Sequence, residues 1–257
     1  MTKLSPFLLL DYHPEHDYAP TLERRGVGVH PHRGFETVTL AFQGSVAHHD
    51  SAGNGGVIGP GDVQWMTAAS GILHKEYHEA SYARVGGPFQ MAQLWVNLPR
   101  AHKMDAPRYQ GIVADDIGVA ELPNGAGVVR VVAGAYRDVV GPAKTVTPIH
   151  LLHVKLNASG KVDFDFPKGH NTAILVMKGR VEVGEEIAKQ HDFVIFEPGA
   201  GGRIEVSATE ETELLVLDGE AIDEPVVQHG PFVMNTEREI HEAIRDFSAG
   251  KFGQLED

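Results

Sequence analysis

The chain has no cysteine among its 257 residues. That excludes disulfides, thiolate metal ligands and a cysteine nucleophile, and it fits a cytoplasmic protein without requiring one. No apolar run approaches transmembrane length. The short Phe7-Leu8-Leu9-Leu10 stretch, stopped by Asp11, is too brief for a signal-peptide core. Neither a membrane span nor secretion is therefore expected. Basic residues are also scarce, 22 Lys and Arg against 35 Asp and Glu, giving a formal charge of −13. With no basic run longer than Arg24-Arg25, the surface would repel a phosphate backbone, so direct nucleic-acid contact is not expected.

What the chain has in quantity is turn residues, with 29 Gly and 15 Pro. They separate short β-prone segments at 27–32, 36–42, 44–48, 57–58, 63–67, 72–77 and 91–98. A second block follows at 128–133, 145–157, 161–166, 172–177, 180–183, 193–196, 202–206 and 214–217. Strands at this spacing predict an all-β sandwich or barrel, and the length suits two domains. Residues 99–127 carry little periodicity and read as a linker, which puts the boundary near 125: domains 1–125 and 126–257. Residues 1–25 read as an edge strand and a loop, with His13 and His16 in the surface loop. In the tail, Ile240, Ala243, Ile244 and Phe247 recur at helical spacing behind Thr236, with Glu239 three residues after it, which predicts a short N-capped helix.

Histidine is plentiful at 15 residues, and two short pairs stand out, His30-Pro31-His32 and His74-Lys75-Glu76. Residues two apart on a strand share a face, and neighbouring strands lie about 4.8 Å apart. Two such pairs on adjacent strands would bring three imidazoles and one carboxylate to one point, a donor set for a divalent transition metal. Chance alone supplies roughly 0.9 His-x-His pairs in a chain of this composition, so the first pair by itself decides nothing. On pattern alone, hydrogen-bonded strand-end histidines remain the competing reading. Glu36 would share the face of His30 and His32 if their strand continued. Lys75 and Tyr77 should point away from the converging pairs.

Five ordered segments carry a resemblance. They are 30–37 (HPHRGFET), 60–68 (PGDVQWMTA), 71–76 (GILHKE), 93–99 (QLWVNLP) and 224–236 (EPVVQHGPFVMNT). Together they resemble the successive signature segments of the pirin family, in the cupin superfamily. The resemblance implies a bicupin: two tandem jelly-roll β-barrels, with one iron ion in the first held by His30, His32, His74 and Glu76. Other cupins use the Glu four residues after the His-x-His pair. The pirin pattern gives that role to Glu76, so Glu36 is expected to hydrogen-bond a ligand imidazole.

Several further expectations follow. Phe35, Trp65, Met66, Leu73 and Trp95 are candidates to wall a pocket for a flat aromatic substrate, with barrel core as the alternative. His48-His49-Asp50 departs from the family pattern only at His49 and reads as a loop. The second block resembles an internal repeat of the first. It lacks the ligand pairs: Thr172 stands where a second His would follow His170, and His150 and His153, three apart, would face opposite sides of a strand. One metal ion per chain is therefore expected.

Family members are described as quercetin 2,3-dioxygenases, which implies a quercetinase-type oxidoreductase acting on a small aromatic substrate with dioxygen, Glu76 taking part in catalysis. The alternative is a non-enzymatic, iron-bound redox sensor that modulates a transcription regulator or metabolic enzyme as a protein partner. A metal-free small-molecule-binding cupin is the third reading. A monomer is expected.

Overall fold

The computed structural model describes residues 3–256. They form two compact units, each described by itself. The first comprises Phe7–Ala114 with the chain from Ile222 onward; the second is Asp115–Ala221 with the few residues up to Pro6.

The strands of the first unit are β1 (Phe7–Tyr18), β2 (Gly26–His32), β3 (Phe35–Gln43), β4 (Val46–Asp50), β5 (Gly55–Ile58), β6 (Val63–Thr67) and β7 (Ile72–His78). After them come α1 (Ala80–Val85), β8 (Gly87–Asn97) and β9 (Arg108–Ile112). One sheet runs in the order β1-β8-β3-β6-β9 and a second in the order β2-β7-β4-β5. This is an all-β jelly roll. The strand β1 holds the edge, and it extends through His13 and His16, so both lie on a strand and not in the loop expected for them. The six-residue α1 escaped sequence reading because it is under two turns long; Glu79 caps it by accepting from the amides of Ser81 and Tyr82.

In the second unit the strands are β10 (Gly118–Glu121), β11 (Gly127–Ala133), β12 (Ala135–Tyr136), β13 (Val139–Val140), β14 (Ile149–Leu156), β15 (Lys161–Phe166) and β16 (His170–Lys178). They continue with β17 (Arg180–Val183), β18 (Glu186–Lys189), β19 (Phe193–Ile195), β20 (Gly202–Ala208) and β21 (Thr212–Glu220). Their sheet orders, β14-β21-β16-β19 and β15-β20-β17-β18, repeat β1-β8-β3-β6 and β2-β7-β4-β5. The internal repeat is thus visible in topology. The supposed linker is not bare: β9 adds to β6 in the first unit and β10 to β11 in the second.

The chain then returns. Strands β22 (Val227–His229) and β23 (Phe232–Met234) and helix α2 (Glu237–Ser248) group with the first unit, which differs from the expected 126–257 second domain. Helix α2 starts where its spacing indicated, the Thr236 hydroxyl accepting from the Glu239 amide. Its apolar stripe, Ile240, Ala243 and Ile244, packs with Phe232, Met234, Phe252 and Leu73. Arg33 ties this segment down. Its Nε donates to Ser70 O at 2.6 Å, its Nη1 lies 3.0 Å from Asp246 Oδ2, and its guanidinium sits 4.6 Å over the Phe252 ring. Gly34 has φ of +88°, and a Cβ there would stand 1.9 Å from Val233 O. Only glycine fits where β23 crosses so closely.

Candidate metal centre

Strands β2 and β7 pair antiparallel with His30 opposite His74. A register shift between Val27 and His30, one extra residue on β2, brings the Gly28 carbonyl under the first imidazole. The His30 Nδ1 lies 2.7 Å from that carbonyl, so it carries the proton and leaves Nε2 with its lone pair. The Nε2 atoms of His32 and His74 face each other at 3.1 Å, and ring nitrogens of all three histidines lie within 4.8 Å of one another. Burial pushes the His32 imidazole well below its usual range, and His74 and His30 push the same way; burial, then His30 and His48, do so for His74. Neutral rings present lone pairs. Two nitrogens each about 2.1 Å from one ion and at right angles about it would stand about 3.0 Å apart, so this donor set fits a transition metal.

The carboxylate of Glu76 lies beside this cluster, its Oε2 being 3.7 Å from His74 Nε2. Its orientation is set from the other sheet. Thr39 on β3 donates to Oε1 at 3.2 Å, and Gln93 on β8 donates to Oε2 at 2.7 Å and to the Thr39 hydroxyl at 3.1 Å. Sequence reading missed Thr39 and Gln93; only their place on inward-facing alternation could have suggested them.

Glu36 is placed differently from expectation. The strand breaks at Arg33-Gly34, so β2 and β3 belong to separate sheets, and Glu36 falls on the face of β3 opposite to Thr39. Its carboxylate accepts from Thr67 Oγ1 at 2.7 Å, and no bond to a ligand imidazole is formed among the described residues. Burial raises its pKa, against the pull of that hydroxyl.

His48 and Asp50 lie on β4, not in a loop, directly opposite Glu76 and His74 on β7. Both are buried. The His48 Nε2 meets the Tyr109 hydroxyl at 2.6 Å, while Asp50 accepts from the amides of Ala52 and Asn54 and so shapes the turn after β4. Burial lowers the His48 pKa.

A cavity of about 470 Å³ reaches Glu76 and Gln93, between Tyr18, Arg25, Phe89 and Met91. The five proposed wall residues are elsewhere. Phe35, Trp65 and Met66 are fully buried core, Leu73 packs toward the C-terminal helix, and Trp95 lies tilted against Phe35, ring centroids 4.4 Å apart, and meets His32 edge to face. Lys75 points outward, donating to Glu256 O.

Two jelly rolls in tandem, the first with three imidazoles gathered at its interior face, define a bicupin with a candidate metal centre. Comparison with known proteins agrees on the fold. The family model for pirin matches residues 1–96, and that for the pirin C-terminal cupin domain matches 151–253. A Pseudomonas aeruginosa protein provisionally named a quercetin 2,3-dioxygenase is 51% identical, over 97% of this chain and 87% of its own length. Mouse pirin is 38% identical, over 98% of this chain and 84% of its own. A crystal structure of quercetin 2,3-dioxygenase from Acinetobacter baumannii superposes with a TM-score of 0.93 at 46% identity, covering 99% of this chain and 88% of that one. The chain belongs to the pirin family. No helix among the described residues is long and apolar enough to cross a membrane.

Proposed function

We propose that this chain is an iron-dependent dioxygenase that opens the ring of a flavonol such as quercetin. In this reading His30, His32, His74 and Glu76 hold one Fe(II). The observation that carries it is the convergence of three histidine ring nitrogens within 4.8 Å of one another, beside a carboxylate that lines an aromatic-walled cavity. Iron bound there would supply redox activation of dioxygen and of a deprotonated flavonol oxygen, with ring opening and loss of carbon monoxide.

The rest falls to the protein. Thr39 and Gln93 fix the Glu76 carboxylate, which lies beside the histidines, lines the cavity and is the acceptor for the flavonol hydroxyl proton. Tyr18, Phe89 and Met91 offer apolar surface for a flat ring, and Arg25 at the cavity wall suits its phenolic oxygens. The names of the P. aeruginosa and A. baumannii relatives support this substrate class.

The competing reading is a redox-dependent partner for a transcription regulator or metabolic enzyme, with the cytoplasm as its compartment. The net charge of −13 favours protein over nucleic-acid partners for it. The cavity reaching Glu76 favours catalysis. The test loads the purified chain with Fe(II), adds a flavonol and follows oxygen uptake and carbon monoxide. Turnover above the His74→Ala background supports the dioxygenase; equal traces for both proteins reject it for that substrate.

A further inference from the structure

Three side chains of the second unit meet at a point that the first centre does not involve. His150 on β14 and Thr172 on β16 are both register partners of Asp218, which lies on β21 between those strands; His170 sits two residues before Thr172, on the same face. The Nδ1 atoms of His150 and His170 each lie 2.8 Å from one carboxylate oxygen, Asp218 Oδ2. The other oxygen, Oδ1, accepts from the Thr172 hydroxyl at 2.8 Å. All three donor atoms fall within 4.8 Å of one another.

The surroundings give this cluster a chemistry. Asp218 is fully buried, and among the described residues no Lys or Arg lies within salt-bridge distance of it. A buried carboxylate balanced only by imidazoles is costly, and a divalent cation balances it. Two donors each about 2.0–2.1 Å from one ion and at right angles stand about 2.9 Å apart, which matches both nitrogen–oxygen separations. Thr172 orients the carboxylate, as an outer hydrogen bond does for a ligand. Thr172 also lines a cavity of about 520 Å³ with Phe196, Glu197 and Arg203, so the hydroxyl that holds the carboxylate lies at the edge of an open space.

This is not a copy of the first centre. The strands β15 and β20, which hold the places of β2 and β7 in the repeated sheet order, carry no histidine. The new cluster is built on the other sheet. We infer that the second unit holds its own divalent first-row transition-metal ion through His150 Nδ1, His170 Nδ1 and Asp218 Oδ2. On this inference the chain takes two ions where its sequence suggested one, because His150 finds Asp218 across the sheet and not His153 three residues along.

The experiment titrates the metal-stripped full chain with Co(II), following heat and visible absorption. Wild type should take up two equivalents with distinct spectra. His170→Gln and Asp218→Asn should each lose one, and His74→Ala should lose the other. His150→Gln, at a partly exposed position, serves if Asp218→Asn does not fold. A wild-type curve that superposes on those of folded His170→Gln and His150→Gln overturns the proposal, whatever His74→Ala does. Conversely, an unchanged titration for His74→Ala counts against the first centre alone.

Discussion

Gln93 Nε2 donates to Glu76 Oε2 across the interior of the first jelly roll at 2.7 Å, joining a strand of one sheet to a strand of the other. The bond orients the carboxylate without touching a histidine. Replacing Gln93 with Leu should therefore weaken metal binding at the first centre by about 10–100-fold, as loss of an outer-shell partner does. Thermal stability should change little by comparison. Isothermal titration of the metal-stripped variant checks this, and an affinity equal to wild type would leave Gln93 with a packing role only.

Binding at the first centre should stabilise the fold by mass action. At a free ion concentration 100 times Kd, the gain is about 2.7 kcal/mol. The rise in Tm on adding Fe(II) or Co(II) under anaerobic conditions should shrink in His74→Ala, since that ring lies within 3.1 Å of its neighbour His32. An undiminished shift would show that the ion stabilises the chain from somewhere else.

Lys103 is fully buried, and its Nζ donates to Gly34 O and Asn97 Oδ1 at 2.6 Å and to Val233 O at 3.0 Å. Burial pushes its pKa down to about 7, against Glu224 and Glu239, which raise it. In the unfolded chain the amine holds its proton to about pH 10.4. Between those values the unfolded state binds more protons, so this group adds stability as pH rises from about 7 to 10 and withdraws it as pH falls back. Lys103→Met should flatten the wild-type slope of unfolding free energy over that window in urea titrations. It should also destabilise by roughly 2–4 kcal/mol near pH 7, because carbonyl oxygens lose their donor. A slope identical to wild type would contradict the assignment.

Arg33 links the start of β3 to the C-terminal helix through Asp246 and the Phe252 ring. Removing it leaves Asp246 and the Ser70 carbonyl without this donor, so Arg33→Ala should cost about 3 kcal/mol. Helix α2 should lose hydrogen-exchange protection before the strands do. Uniform protection loss across the first unit would mean that the helix does not open separately.

The three histidines were legible in the sequence because a strand repeats every two residues: His30 and His32 must share a face, and so must His74 and Glu76. Helix α2 was legible for the matching reason, with Ile240, Ala243 and Ile244 at a helical spacing behind a Thr236 cap. Local periodicity does not reach across a break or between sheets. Glu36 was misread because the chain breaks at Gly34 between β2 and β3, where φ is +88° and β23 passes too close for any side chain. Thr39 and Gln93 carried only the weak signal of strand alternation, and Lys103 none. The same holds for His150, His170 and Asp218, which stand on three different strands. Strand alternation, an intrinsic property of the chain, settled which residues face inward together. Which inward-facing residues meet depended on sheet order and register, set by packing between segments distant in sequence.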